Sequence, residues 1–332
     1  MRSQPPFFED LAVGLLERSA PSVTLTEGMA AVHQAILGDR LRLALDGKLA
    51  RDLLGLRAPL AHPALVWDVS IGQSTLLTGR VIANLFYRGL VFKRAPVIGD
   101  TLSTVTEVVG LRGRSLQPGR PASGLAALRI RTTDQEGRPV LDFWRCALLP
   151  LRDPNGLSEQ ADSFDEIPSE LEGEALRAAT ASWRLEGFPG GAGHLAEATP
   201  GTRWRVHGGD VVSSAPELAR LTLNVAGVHH DRHLQPQGER LVYGGHTIGL
   251  AAAQATRMLP EIVTIAGWHS CEHLAPVREG DTLHSELELE RLERLDNGGS
   301  LAHLRSRVDA LGEGGSSEPV EVLDWRFVAV IA

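Results

Sequence analysis

Side chains that titrate near neutral pH are concentrated between Asn224 and His246, in the segment NVAGVHHDRHLQPQGERLVYGGH. The segment contains four histidines and one aspartate, and it closes on a pair of glycines. An imidazole, with an unperturbed pKa of about 6.5, can accept and return a proton at neutral pH. Two further histidines, His269 and His273, follow in GWHSCEHLAPVREGDT. These residue types allow proton transfer, metal binding or a polar surface loop.

The spacing of these residues argues against a metal site and against a phosphate-binding loop. The metal-ligand types form one short run, at His229, His230, Asp231 and His233. Adjacent histidines rarely point the same way on one element and no distant partner pair is evident, so we expect no metal. No Walker-type or GxGxxG pattern is present, which excludes a phosphate loop. From the residues alone, His229 remains compatible with an acid–base site or a polar loop, and we expect His230 and His233 to face solvent.

The glycine pair begins a predicted helix. From Gly244 the sequence runs GGHTIGLAAAQATRML, which is rich in alanine and apolar on nearly all sides, so a buried helix is expected. A helix N-terminus presents unpaired N–H groups and a partial positive charge, and glycine lets a ligand approach them closely. Gly244 and Gly245 are therefore candidates for binding a developing negative charge; a tight loop before a helix is the alternative.

A weak internal repeat organises the rest of the chain. IANLFYRGLVFKRAPVIGDTL (82–102) and IAGWHSCEHLAPVREGDTL (265–283) share their beginning, an Ala-Pro-Val and their end. Strand candidates follow both: TLSTVTEVVGL, GLAALRIRTTD and VLDFWRCALLPL in the first half, and TLHSELELERL, SLAHLRSRVDA and VLDWRFVAVI in the second. The first half also has a helix candidate, HPALVWDVSIGQSTLL from His62, in which Pro63 suits the first turn.

One buried helix with several antiparallel strands, present twice, predicts an α+β protein, although strand alternation alone is also compatible with a sandwich. The acidic segment after the first half, with its Pro, Gly and Ser, predicts a linker with a surface helix. GFPGGAGHLAEATPG then predicts a flexible loop. We predict a first domain at 1–155, a linker at 156–200 and a second domain at 201–332 that carries the site.

The composition of the chain limits the kinds of partner and the cellular compartment that we expect. The chain has 332 residues, 43% hydrophobic and 22% charged, as expected of a globular protein, with a net charge of −8. Its Lys and Arg residues are scattered, so we expect no nucleic acid partner. No stretch approaches the ~20 apolar residues of a membrane span. The N-terminus lacks an apolar signal region, and two cysteines allow at most one bridge. We therefore expect a cytoplasmic protein.

Several segments, taken in order, resemble the MaoC-like acyl-CoA hydratases and dehydratases. They include FFEDLAVG, APVIGDTLSTVTEVVGL, VLDFWRCALLPL, GTRW, LNVAGVHHD, LVYGGHTIGLA and APVREGDT, and they cover most of 6–152 and 201–331. The similarity is to the two-hotdog branch that includes mesaconyl-CoA hydratase, also called β-methylmalyl-CoA dehydratase. It implies a double hotdog, a coenzyme A thioester as substrate, and water added to or removed from its α,β bond without a separate cofactor. We also expect a homodimer, because strand edges between hotdogs invite pairing.

The resemblance implies roles for the histidine segment. The family motif Asp-x-Asn-Pro-Leu-His corresponds to Asn224-Val-Ala-Gly-Val-His229, so His229 is the expected acid–base residue. Asn224 stands where the family has Asp, and since an amide does not titrate, we expect it to position water or the imidazole. Asp231 is expected to orient His229 or to supply a second carboxylate.

The resemblance also implies a substrate pocket around the glycine pair. The thioester carbonyl would lie at Gly245 in the Gly244–Gly245 turn, which would act as the oxyanion hole. Tyr243 and His246 would shape the acyl pocket, and His273 matches a histidine of the mesaconyl branch. Glu272 replaces an arginine of that branch and would repel a carboxylate, which argues against a dicarboxylic acyl group.

The first half lacks a complete site. Asp39 keeps the aspartate of the motif, but Ala44 replaces its histidine, and Pro63 removes an N–H where the second half has Gly245. We therefore expect the first domain to be non-catalytic. Three alternatives remain: a dehydratase for acyl groups on a carrier protein, a non-catalytic thioester-binding protein, and a thioesterase, since fold does not fix function.

Overall fold

A computed structural model describes residues 4–189, 193–195, 197–234, 238–312 and 318–332. The strands are β1 (Leu16–Glu17), β2 (Val23–Thr24), β3 (Ala83–Phe92), β4 (Thr101–Gly113), β5 (Ser123–Thr133), β6 (Pro139–Pro150), β7 (Arg203–Arg205), β8 (Asp210–Val211), β9 (Ile262–His273), β10 (Thr282–Arg294), β11 (Ser300–Leu311) and β12 (Val320–Ile331). The helices are α1 (Glu27–Leu37), α2 (Arg42–Leu45), α3 (Gly47–Leu54), α4 (Pro63–Gln73), α5 (Gly173–Ala178), α6 (Ala215–Leu221) and α7 (Gly244–Met258). None of these helices is long and apolar enough to cross a bilayer.

These strands form one antiparallel sheet in the order β1-β4-β5-β6-β3-β9-β12-β11-β10-β7, with β2 beside β4 and β8 beside β10. The order β4-β5-β6-β3 in the first half repeats as β10-β11-β12-β9 in the second. The halves join where β3 pairs with β9, with Tyr87 opposite Cys271. The predicted α+β double hotdog is confirmed, and both predicted core helices are present as α4 and α7.

The two core helices build a single interior. Helix α4 packs on β4 and β5, α7 packs on β10, β11 and β12, and the two helices pack on each other. The fully buried Trp67 of α4 lies 4.7 Å, between ring centroids, from Trp268 of β9 and 6.2 Å from Trp325 of β12. Aromatic side chains of this size bury large apolar areas, so these three rings tie the halves together.

The segment that follows β6 lies on the sheet. A Cβ on Gly89 of β3 would stand 3.2 Å from Pro168, and one on Gly267 of β9 would stand 3.0 Å from the buried Leu176. The predicted surface helix of this segment is α5, with Leu176 on its buried side. The boundaries at 155 and 200 stay predictions. The predicted loop at 187–201 includes residues 190–192 and 196, which lie outside the described residues.

Candidate active site

A cavity of about 400 Å³ opens at the N-terminus of α7. One wall comes from the turn that holds His229, the start of α7 and the loop after β9. The other wall comes from β3, β6 and the end of α4, through Ile71, Tyr87 and Arg145. The site was expected in residues 201–332, but the described cavity belongs to both halves because β3 and β9 are neighbours in the sheet.

His229 lies on a 3₁₀ turn, Gly227–His229, and is 9% exposed. Its Nδ1 is 2.9 Å from the carbonyl oxygen of Leu241. Because a carbonyl only accepts, Nδ1–H is the donor, and Nε2 of the neutral ring keeps its lone pair. The pKa of His229 is lowered to about 4, mainly by burial, with His230 and Arg145 adding to the shift and the hydrogen bond to Leu241 opposing it. The imidazole is therefore neutral at pH 7 and can accept a proton at Nε2.

Asn224 lines the same cavity and is 4% exposed. Its Oδ1 accepts from the N–H of Ala226 at 3.0 Å, which leaves the amide NH₂ as its donor group. The backbone carbonyl oxygen of Asn224 accepts a hydrogen bond from Nε2 of His230 at 2.6 Å. His230 therefore anchors the Asn224 backbone, contrary to the expectation that it faces solvent, whereas His233 is exposed as expected.

Asp231 does not reach the cavity. It is exposed, and its Oδ1 accepts from the backbone N–H of His233 at 2.9 Å. Nδ1 of His229 is already bonded to Leu241, so Asp231 neither orients that ring nor supplies a second carboxylate at the site. The chain turns at the end of the 3₁₀ turn, and this carries Asp231 to the outside. Within the described ranges, no three His, Cys, Asp or Glu side chains are grouped to hold a metal.

The N-terminus of α7 differs from that of α4. At α4 the side chain of His62 accepts from the N–H of Ala64, and Pro63 removes another N–H. At α7 no side chain caps the helix, whose first residue, Gly244, lines the cavity. The N–H of His246 donates to the carbonyl of Tyr243 at 2.9 Å. The first two N–H groups of a helix have no intrahelical partner, so α7 offers those of Gly244 and Gly245, with the partial positive charge of the helix end, to a ligand.

Gly244 and Gly245 leave space for different neighbours. A Cβ on Gly244 would lie 2.6 Å from Nε2 of His273, so Gly244 keeps the space at the cavity open. A Cβ on Gly245 would collide with Oδ1 of Asp68 and the ring of Tyr243, and Gly245 does not line the cavity. Of these two glycines only Gly244 lines the cavity, and the expected contact of a thioester carbonyl with Gly245 stays a prediction.

Tyr243 lines the cavity, and its hydroxyl donates to Oδ1 of Asp68 at 3.2 Å. Asp68 is fully buried, 3.4 Å from Nε2 of His33. Burial raises the pKa of Asp68 and lowers that of His33, while the hydrogen bond between the two side chains opposes both shifts.

His273 and His246 have different positions from those expected of two pocket residues. His273 lines the cavity, and its Nε2 is buried without a hydrogen-bond partner among the described residues. The pKa of His273 is lowered to about 4, mainly by burial and to a smaller extent by His229. His273 does not lie at an edge of the sheet, because β9 lies between β3 and β12. His246 is fully buried away from the cavity: two residues after Gly244 on a helix, it points about 200° around the axis.

Glu272 lies outside the cavity, with its Oε1 3.5 Å from Nη2 of Arg88. Successive strand residues point to opposite faces, so Glu272 points outward where His273 points inward. The expected repulsion of a substrate carboxylate from Glu272 does not arise.

Arg145 of β6 is a cavity residue that the sequence did not reveal. It is 3% exposed, and it donates to Oγ of Ser74 and Oγ1 of Thr78, both at 2.8 Å. The repeat could have indicated this position. When the shared Val-Leu-Asp of the two halves is aligned, Arg145 corresponds to the fully buried Phe327. Aligning the Trp-Arg pair that both halves contain instead shifts the alignment by one residue and hides this correspondence.

Sequence comparison places the chain among known proteins, although no protein-family model matches it. β-Methylmalyl-CoA dehydratase of Chloroflexus aurantiacus is 28% identical, over 98% of this chain and 96% of the relative. A conserved hypothetical protein of Mycobacterium tuberculosis, described as a double hotdog, is 49% identical over 99% of both chains, with a TM-score of 0.90. A MaoC domain dehydratase structure from Chloroflexus aurantiacus is 25% identical over 98% of this chain and 97% of that one, with a TM-score of 0.82.

Fold and similarity together define a double-hotdog protein with a cavity at the second core helix. The chain belongs to the MaoC-like hydratase and dehydratase family.

Proposed function

We propose that this chain adds water to, or removes it from, the α,β bond of an acyl-CoA thioester. One observation carries the proposal: a neutral His229, protonated at Nδ1, lines the same cavity as the uncapped N-terminus of α7. A base and an anion-binding backbone in one cavity are what hydration of an enoyl thioester requires. The name of the β-methylmalyl-CoA dehydratase relative supports the same class of substrate.

In the hydration direction, Nε2 of His229 takes a proton from water while the water oxygen bonds to Cβ. The electron pair of the double bond moves onto the thioester carbonyl and gives an enolate. The backbone N–H groups at the N-terminus of α7, which begins at Gly244, stabilise the enolate oxygen. The His229 imidazolium then returns its proton to Cα as the carbonyl re-forms. The amide of Asn224 holds the water by a hydrogen bond. One water is consumed and no cofactor is needed.

The test follows loss of enoyl absorbance with a panel of thioesters that includes crotonyl-CoA and mesaconyl-CoA. We expect turnover by the wild type and a loss of kcat/KM of about a thousandfold in His229→Gln, because removal of a general base costs ~10²–10⁴ in rate. His233→Gln is the matched control, since His233 is an exposed histidine of the same segment, and it should keep full activity. Full activity in His229→Gln would contradict the assignment.

The same experiment separates the alternatives. Binding of coenzyme A esters without turnover would indicate a non-catalytic thioester-binding protein. Turnover of a carrier-linked enoyl thioester, with coenzyme A esters inert, would indicate a carrier-protein dehydratase. The cytoplasmic homodimer remains a prediction from the sequence.

A further inference from the structure

The carboxyl of Asp68 lies between the two core helices and has no part in the hydration steps above. Asp68 belongs to α4, in the first half of the chain, and is fully buried. Its two side-chain partners are Nε2 of His33, 3.4 Å from Oδ2, and the hydroxyl of Tyr243, 3.2 Å from Oδ1. Helix α1 packs on α7 without polar groups, because Leu37 fits against Gly249, where a Cβ would stand 2.5 Å from it. Burying a carboxyl is costly, so its presence between the helices calls for a function.

Tyr243 connects Asp68 to both parts of the proposed active site. The centroid of its ring lies 5.7 Å from that of the His229 imidazole. Along the chain it directly precedes Gly244, the first residue of α7. Its hydroxyl donates to Oδ1 of Asp68 and lies 3.4 Å from the backbone oxygen of the same residue. A displacement of the Tyr243 ring would therefore move the base and the helix N-terminus together.

Asp68 also contacts the first turn of α7 directly. A Cβ on Gly245 would stand 2.1 Å from Oδ1 of Asp68 and 2.5 Å from the ring of Tyr243, so the helix starts against these two side chains. On the other side, the buried His33 of α1 holds Oδ2. A carboxyl oxygen accepts a hydrogen bond from a phenol whether the carboxyl is ionised or not, so this anchor does not depend on the charge of Asp68.

We propose that Asp68 is a positioning residue: through Tyr243 it holds the imidazole of His229 and the N-terminus of α7 in the arrangement that the enolate requires. This inference rests on the proposed function, because it takes the cavity to be the acyl site. It gives the first half of the chain, expected to be non-catalytic, a part in the reaction. A misplacement of about 1 Å at a reacting group can cost roughly a hundredfold in rate, so the anchor acts on the chemistry.

The test measures the enolate of bound acetoacetyl-CoA, which absorbs in the near ultraviolet and resembles the proposed intermediate. The wild type should form it at a pH midpoint about one to two pH units below that of the free thioester, because the site stabilises the enolate oxygen. Tyr243→Phe, which removes only the hydroxyl, and Asp68→Leu should each raise this midpoint by about one pH unit, a tenfold loss. Asp68→Asn should stay within about 0.3 pH units of the wild type, because its amide oxygen still accepts from the hydroxyl.

The double variant separates positioning from a general effect on the fold. If the hydroxyl and the carboxyl act as one unit, Tyr243→Phe combined with Asp68→Leu should raise the midpoint no further than either change alone. Ser70→Ala is the matched control, since it removes a buried hydroxyl of the same helix that bonds to Thr132 and does not line the cavity. Its midpoint should equal that of the wild type. Urea unfolding checks that each variant is folded.

Four results would overturn the proposal: a wild-type midpoint equal to that of free acetoacetyl-CoA, unchanged midpoints in Tyr243→Phe and Asp68→Leu, additive shifts in the double variant, or an Asp68→Asn shift as large as that of Asp68→Leu. If Asp68→Leu does not fold, Tyr243→Phe and Asp68→Asn decide the matter. Acetoacetyl-CoA has no enoyl bond, so the test is independent of turnover. A protein that stabilises the enolate but never hydrates crotonyl-CoA would lose only the proposed function; one that hydrates crotonyl-CoA with all variants unimpaired would lose only the role of Asp68.

Discussion

At the scale of single residues, the chemistry depends on how the chain surrounds His229. The carbonyl of Leu241 fixes the hydrogen on Nδ1, and burial keeps the ring neutral. Asn224 has the motif position of the missing aspartate, so the imidazole is the titrating group in that motif. The family resemblance predicted His229 as the acid–base residue, a role that stays a prediction, and the structure places its side chain at the cavity. Its tautomer depends on a carbonyl 12 residues away, which no local pattern indicates.

The low pKa of His229 predicts the pH dependence of hydration. Only the neutral ring can accept a proton, so kcat/KM falls as pH drops through the pKa of His229, about 4. An unperturbed histidine would lose activity near pH 6.5 instead. We therefore expect a level rate from about pH 8 to about pH 5.5, measured as kcat/KM for crotonyl-CoA, with circular dichroism to show that the protein is still folded. An acid limb near pH 6.5 would contradict the assigned environment.

At the scale of elements, helix α7 matters through its N-terminus. We expect Gly244→Ala to lower kcat/KM by about a hundredfold, because its Cβ would press on His273 and block the helix N–H groups. Gly28→Ala is the matched control: it lies in α1, where the nearest neighbour of the new Cβ is 3.8 Å away. That variant should keep its activity and gain about 0.5 kcal/mol in stability, measured by urea unfolding. Equal activities in the two variants would remove the N-terminus of α7 from the mechanism.

Elements were predictable where their periodicity is strong. The alanine-rich run after Gly244 and the alternating strands after residues 101 and 282 are present as α7, β4 and β10. The direction in which individual side chains point was harder to predict from the sequence. Arg145 was hidden because a slip of one residue in a strand exchanges the two faces, and the shared Trp-Arg letters suggest the wrong register. His246 was misplaced because a two-residue step on a helix reaches the opposite side.

At the scale of the whole molecule, buried histidines should make stability depend on pH. Burial lowers the pKa of four histidines, His229, His246, His273 and His303, each to about 4. The unfolded chain, with histidine pKa values near 6.5, binds these protons first as pH falls. The free energy of unfolding should therefore decrease between about pH 6.5 and pH 4, with these four histidines contributing a slope that approaches four protons.

Urea unfolding at several pH values measures this slope. His246→Leu should reduce the slope by about one proton, because it removes one of the four groups. It should not lower stability at pH 7, since neither ring nitrogen of His246 has a hydrogen-bond partner among the described residues. A stability that is constant between pH 7 and pH 5 would show that these rings are hydrated in the native protein.

Both halves of the molecule meet at the cavity, and the central claim is that water is added there across an acyl-CoA double bond. The most direct test incubates the protein with crotonyl-CoA in D₂O and identifies the products by mass spectrometry. We expect a hydroxyacyl-CoA that carries one non-exchangeable deuterium at Cα, because the proton returned by His229 comes from solvent. Free coenzyme A as the product, or unchanged thioester at saturating binding, would contradict it.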